Sequence, residues 1–324
     1  MRFLRSVVQP NATLTASAQF GPIDLPVNPL TMLLLSISVT NAAPAALNTY
    51  QAIDDVIDQI TSVIIKHKGE NILQGSLRDL MVLNALVCNA YAGAHSMSEA
   101  SADVRRFTFP LCFSRRPYNP REAFPATSRG NLTFELVAGA LGTGYSAATI
   151  QIESVELIEA DPSQYLKYTT QSRTSVVGQF DQPLPIGNPL LGIIGFDTAM
   201  ATPTTGLSSW GTVKLLKDNV EQYFPNSDAL TLAAELRGRF DRGGSWIGHT
   251  HQFNGAAAGL AETDEADYRA AIGSSGYFYL DFDPLDDDSY MLETAGAADI
   301  KIRGVGTAAS AVRLLPVELV KVGK

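Results

Sequence analysis

Along most of the chain, runs of about five to nine residues are either apolar throughout or alternate apolar with polar, and clusters of Gly, Pro, Asn and Asp separate them. That pattern predicts antiparallel strands. "LTMLLLSISV", Leu30 to Val39, reads as a buried strand and is about half as long as a bilayer crossing requires. One segment departs from the pattern. "SVIIKHKGENILQGSLRDLMVLNAL", Ser62 to Leu86, reads as strand, tight turn, strand and helix. Ser76 can cap that helix, Asp79 stands three residues on, and Leu77, Leu80, Met81 and Asn84 share one face.

The same segment returns without a gap as "TVKLLKDNVEQYFPNSDALTLAAEL", Thr212 to Leu236. At the constant offset 213 − 63 = 150, Val63 meets Val213, Ile65 meets Leu215, Leu73 meets Tyr223, Leu80 meets Leu230, Val82 meets Leu232 and Leu86 meets Leu236. Gly69 meets Asn219, so the turn chemistry carries over, and the second helix is expected to start at Ser227 and Leu230. Four more segments repeat in the same order. "LPVNPL" returns as "LPIGNPL", "FPLCF" as "FYLDF", "NLTFEL" as "DIKIRG", and "ATIQIESVELI" as "AVRLLPVELV" with "VEL" identical. Their common order makes the chain two copies of one domain, and a unit this long is a duplicated domain rather than a solenoid repeat.

The fold class that follows is all-β: two tandem eight-stranded jelly-roll barrels with short accessory helices. The expected divisions are an N-terminal arm over 1–19, a first barrel over 20–165, a linker over 166–179 and a second barrel over 180–324. First and last strands of a jelly roll lie side by side, which brings "TMLLLSISV" beside "ATIQIESVELI" and hides their edges.

Composition narrows the function classes. The 324 residues are 45% apolar and 18% charged, enough to bury a sizeable core. A net charge of -9, with the basic residues scattered, argues against a nucleic-acid groove. Cys88 and Cys112 are the only cysteines and read as two core thiols, not a disulfide framework or zinc site. The first residues lack the long apolar stretch of a secretory signal.

Candidate chemistry is sparse. In "GGSWIGHTHQFNG", Gly243, His249 and His251 copy the opening of a cupin metal motif, and two histidines two apart on a strand point to one face. The glutamate due four or five positions later is replaced by Gly255 and Ala256, and no third histidine follows. "DFDPLDDD", Asp281 to Asp288, crowds carboxylates, with Asp283 and Asp286 the weak calcium candidates, but lacks the EF-hand glycine and glutamate. "GVGTAA", Gly304 to Ala309, fits a dinucleotide fingerprint in letters only and reads as a loop between two strands. With no nucleophile elbow, phosphate loop or His-Glu-x-x-His helix, no catalytic residue, cofactor or metal site is expected.

Two barrels in tandem, each with the strand-turn-strand-helix segment and a closing "VEL" strand, resemble the major capsid proteins of double jelly-roll viruses. That family comprises tailless icosahedral bacteriophages, often with an internal membrane, and their relatives. The resemblance covers nearly the whole chain and implies a viral structural protein of the virion, assembled in the host cytoplasm. Implied partners are two further copies in a homotrimer of hexagonal outline, neighbouring capsomers and minor penton or vertex proteins. An internal membrane or packaged genome is a further one, met through the arm, whose only charges are Arg2 and Arg5. A bicupin-type metal-dependent enzyme and a carbohydrate-binding β-sandwich are the alternatives.

Overall fold

A computed structural model describes residues 2–42, 53–95, 102–142, 144–200, 208–241 and 276–323. The described residues fall into two compact units, 2–166 with 322–323, and 167–241 with 276–321. The first contains β1 (Arg2–Thr13), β2 (Gln19–Asp24), β3 (Leu30–Asn41), α1 (Ile53–Asp58), β4 (Ile60–His67), β5 (Glu70–Gly75), α2 (Leu77–Val87), β6 (Gly93–His95), β7 (Val104–Cys112), β8 (Leu132–Ala138) and β9 (Tyr145–Ile158). β10 (Gln164–Thr169) straddles the division. The second contains β11 (Gln171–Thr174), β12 (Gly178–Pro183), β13 (Leu190–Asp197), β14 (Thr212–Lys217), β15 (Val220–Asp228), α3 (Ala229–Asp241), β16 (Tyr277–Asp281), β17 (Ile300–Gly306) and β18 (Ala311–Lys321).

Within the first unit, antiparallel pairing runs β1-β9-β3-β7 in one layer, with β6 beyond β7, and β2-β8-β4-β5 in the other. In the second it runs β11-β18-β13-β16 and β12-β17-β14-β15. Each is an eight-stranded jelly roll, and the two orders are the same strand for strand.

Register repeats as well as order. Val63 and Ile65 face Leu136 and Phe134, and Val213 and Leu215 face Gly304 and Ile302. The hairpins turn at His67↔Glu70 and Lys217↔Val220, with positive φ at Lys68 and Gly69 and at Asp218 and Asn219, the two-residue turn that matches strand twist. "TMLLLSISV" does lie beside "ATIQIESVELI", as β3 on β9.

The ungapped offset fails beyond the turn. Val63 pairs with Gly75 but Val213 with Ser227, two residues later than 75 + 150 = 225, because a register shift inserts extra residues into β15. Tyr223 and Leu230, matched in sequence to buried Leu73 and Leu80, are therefore 51% and 39% exposed. At an offset of 229 − 77 = 152, buried Ala229, Leu232, Ala233 and Leu236 of α3 take the places of Leu77, Leu80, Met81 and Asn84. The cap moves accordingly: Asp228, not Ser227, accepts the Thr231 N–H at 2.8 Å, where Ser76 accepts from Asp79 at 3.2 Å.

Residues 2–13, expected within an arm, form β1 along β9, and 171–174, expected within a linker, form β11 on β18. The alternation that signals a strand is missing from both because each lies at a sheet edge with most side chains exposed; Phe3 is 63% exposed. Gly304 to Gly306, expected in a loop, end β17 instead, paired with Phe180, Gln179 and Gly178 of β12, and a side chain at Gly304 would collide with Phe180 and Trp210.

The two interiors differ at a pair that faces across twin strands. Leu35 lies opposite Phe109 in the first unit, and at the twin position Gly195 lies opposite Phe278. The Phe278 ring occupies the space a side chain at 195 would need, and Trp210 packs edge-on against that ring at 5.8 Å. Gly195→Ala is expected to destabilise the protein by about 1–3 kcal/mol through overpacking, read as a lowered denaturant midpoint at unchanged slope.

Candidate functional site

The "NPL" and "VEL" residues, identical in both copies, meet in space. "NPL" ends the crossing from β2 to β3 and "VEL" lies near the end of β9, and the same is true of their twins. Asn28 Nδ2 donates to Glu156 Oε2 at 2.7 Å, and Asn188 Nδ2 to Glu318 Oε2 at 2.8 Å. The Leu157 N–H donates to Pro29 O, and the Leu319 N–H to Pro189 O, at 2.8 and 2.9 Å. Leu30 exchanges both backbone hydrogen bonds with Phe124, and Leu190 exchanges both with Leu292. A register shift falls between Leu30 and Met32 and between Leu190 and Gly192. This clasp fixes the closing strand of each barrel.

Its two carboxylates are buried and differ in support. Glu156 also accepts from Ser6 at 3.2 Å and Ser154 at 3.0 Å, whereas among the described residues Asn188 is the one side-chain donor to Glu318. A third buried carboxylate was not signalled by any motif. Asp197, at the end of β13, accepts from Ala199 N and Ser310 Oγ on Oδ1, and from Ser208 Oγ and Ser209 N on Oδ2. Only folding collects these donors.

The loops that follow β7 and β16 are twins and carry opposite charge. Both leave at a phenylalanine whose N–H donates to the start of the neighbouring strand, Phe113 to Thr31 O and Phe282 to Leu191 O. "SRRPYNPR", residues 114–121, carries Arg115, Arg116 and Arg121. Arg115 pairs with buried Glu122 at 2.8 Å, and the side chains of Arg116 and Arg121 lie at the surface. Tyr118 of this loop meets Phe3 edge-on at 5.5 Å, which sets the loop beside the start of β1. "DPLDDDSY", residues 283–290, carries four aspartates, of which Asp286, Asp287 and Asp288 are exposed.

Of the metal candidates, His249 and His251 lie outside the described residues. Asp283 is buried and its Oδ1 accepts the Asp288 N–H at 3.0 Å, and Asp286 is an exposed residue. Among the described residues no cluster of three or more His, Cys, Asp or Glu could hold a metal ion. Cys88 and Cys112 are buried thiols, and burial, followed by the hydrogen bond between them, pushes Cys88 well up.

Three carboxylates are held below the ordinary range, and one of them, Asp287, is lowered by its hydrogen bonds with Ser289. Asp181 is lowered first by its hydrogen bonds from Arg303 across the β12-β17 pair, at 2.7 and 2.8 Å, and further by Lys301. At Glu153 burial acts upward, but hydrogen bonds from Arg5 and Gln151 and the charges of Arg5 and Arg106 outweigh it.

No family model and no curated protein matches the chain. Among solved structures, the chain is similar to the major capsid protein of Sulfolobus Turreted Icosahedral Virus at 12% identity and a TM-score of 0.68, over 99% of this chain and 97% of that one. It is similar to the major capsid protein of bacteriophage PM2 at 12% identity and a TM-score of 0.61, over 100% and 99%. A PBCV-1 virus capsid model matches at 9% identity and a TM-score of 0.55, over 98% and 94%. These likenesses establish the double jelly-roll fold over the whole chain.

Removing the clasp amides should separate the copies. Asn188→Ala leaves the Glu318 carboxylate buried without a side-chain donor and is expected to cost about 2 kcal/mol or more, whereas Asn28→Ala, with two serines left, should cost about 1 kcal/mol. Chemical denaturation of both variants measures the difference. For Asp181, a folded pKa below the unfolded value means stability in force above about pH 4 and lost as pH falls through the lowered value. The stability gap between wild type and Arg303→Ala should therefore be widest near neutral pH and narrow steadily below pH 4.

Proposed function

We propose that the chain is a structural subunit of an icosahedral virus shell, a major capsid protein that closes into a homotrimer and tiles with neighbouring capsomers. The observation that carries it is that the described residues form two barrels of identical strand order, in a chain matched end to end by major capsid proteins of two viruses. A duplicated barrel gives a trimer six similar walls, so that threefold symmetry fills a nearly hexagonal outline while the two copies diverge for different neighbours. The site of action is the virion, after assembly in the host cytoplasm, and minor vertex proteins complete the set of protein partners.

Several features favour this over a bicupin or a carbohydrate-binding sandwich. Trp210, Phe278 and Phe282 fill the interior of the second barrel, where a cupin would keep its metal and substrate. Among the described residues, the buried carboxylates of the clasp and Asp197 join hydrogen-bond networks that hold strands together. No catalytic residue is assigned. Contact of the first residues with lipid or packaged genome now rests on Arg2, since Arg5 is bound to Glu153 at 2.5 Å and the segment is a strand.

Purified protein is expected to sediment as a trimer and, on concentration, to give curved sheets or closed particles by negative-stain microscopy. A monomer at every concentration would sink the capsid role. His249→Ala with His251→Ala should change neither stability nor assembly beyond the small range of surface substitutions. Stoichiometric zinc or iron in the wild type, lost in that double variant, would favour the bicupin instead.

A further inference from the structure

The opposite charge of the twin loops has no explanation in packing. Both loops leave twin strands and return to twin bridges, Leu30 with Phe124 and Leu190 with Leu292, so the barrel asks the same of each. The side chains that differ in sign are exposed, and the interior is indifferent to them. We propose that the basic and aromatic surface formed by Phe3, Arg116, Tyr118 and Arg121 docks the acidic loop 283–290 of a second copy of this chain. This rests on the capsid-subunit reading and names the contact that closes its trimer.

Three observations select that occupant. Charge is complementary: Arg121 makes no ion pair among the described residues, in a chain of net charge -9 whose other copy offers Asp286, Asp287 and Asp288 on one short loop. Apolar surface is complementary too. Phe3 and Tyr118 touch each other yet stay exposed, and Leu285, 61% exposed, stands with Tyr290 beside the aspartates. Guanidinium groups over carboxylates with an aliphatic side chain on an aromatic pair is the composition of a specific protein contact, with Arg and Tyr as its usual anchors. Finally, the two surfaces belong to different copies of the repeat. The contact is heterologous, each subunit giving one surface and receiving the other, and three such contacts close a ring.

Charge reversal tests it in both directions. Arg116→Asp with Arg121→Asp, or Asp286→Arg with Asp287→Arg, should each raise the concentration at which the trimer dissociates by about tenfold or more, with the effect shrinking as salt rises. The chain carrying all four substitutions should recover most of the loss. Because it contains every substitution, its recovery also shows that the reversed chains fold. Trimers unchanged in both reversed variants would overturn the docking and leave the capsid reading standing. A wild type that never trimerises would overturn the two together. Trimers unchanged, with lost binding to vesicles of anionic phospholipid in the arginine variant, would assign the surface to lipid headgroups and overturn the proposal.

Discussion

Each barrel depends on how its last strand is held. β9 lies between β1 and β3, and β18 between β11 and β13, so the end of each copy joins strands made at its beginning. Such pairing links residues far apart in sequence, and the loop-closure entropy it costs is repaid only when the whole sheet is in place. The "VEL" and "NPL" residues sit at that join. Their identity in two copies that otherwise share little sequence follows from this: the interior tolerates volume-conserving change, whereas the clasp needs an amide, a carboxylate and a proline carbonyl in fixed relation.

Around the clasp the copies have drifted in ways that packing permits. Leu35 opposite Phe109 has a twin in Gly195 opposite Phe278, where a larger ring system including Trp210 fills the same interior. β1 runs for 12 residues and β11 for 4, yet both cover the closing strand. β11 is stitched to β12 by Gln171 with Gln182 at 3.1 Å and by Arg173, which donates to Asp181 O and lies over the Phe180 ring. The longer β1 relies on its backbone ladder and on the Arg5–Glu153 pair. Loops carry the widest change, as expected where the barrel supplies rigidity and the connections meet other molecules.

How much of this the sequence showed follows from burial. Strands with one or both faces covered, such as β3, β4 and β9, announce themselves through apolar pattern, and their order alone revealed the duplication. β1 and β11 did not, because an edge strand exposed on both faces has no pattern to show. The two-residue insertion in β15 was hidden for a related reason. Leu230 and Leu232 both offer a leucine to the alignment, and only the pairing of Val213 with Ser227 decides which one faces inward. The opposite charges of the twin loops were readable as letters, but their equivalence required the bridges at Leu30 and Leu190. The Asp197 network, gathered from residues 197 to 310, had no sequence signal at all.

The buried carboxylates of the clasp pose a last question, since a buried charge held by neutral donors adds little net stability. Register offers the answer. In "SVELI" every residue near Glu156 is small or apolar, and a slip of one position would still bury apolar side chains on one face or the other. Glu156 removes that freedom, because only the observed register brings it to Asn28 and Ser6, and only Glu318 in register reaches Asn188. The shift between Leu30 and Met32, and again between Leu190 and Gly192, falls one residue from the paired glutamate, so the irregularity and the carboxylate mark the same point on each closing strand. A polar pin that forbids a slip holds the closing strand of each barrel at one height, which an apolar contact of equal size would not do.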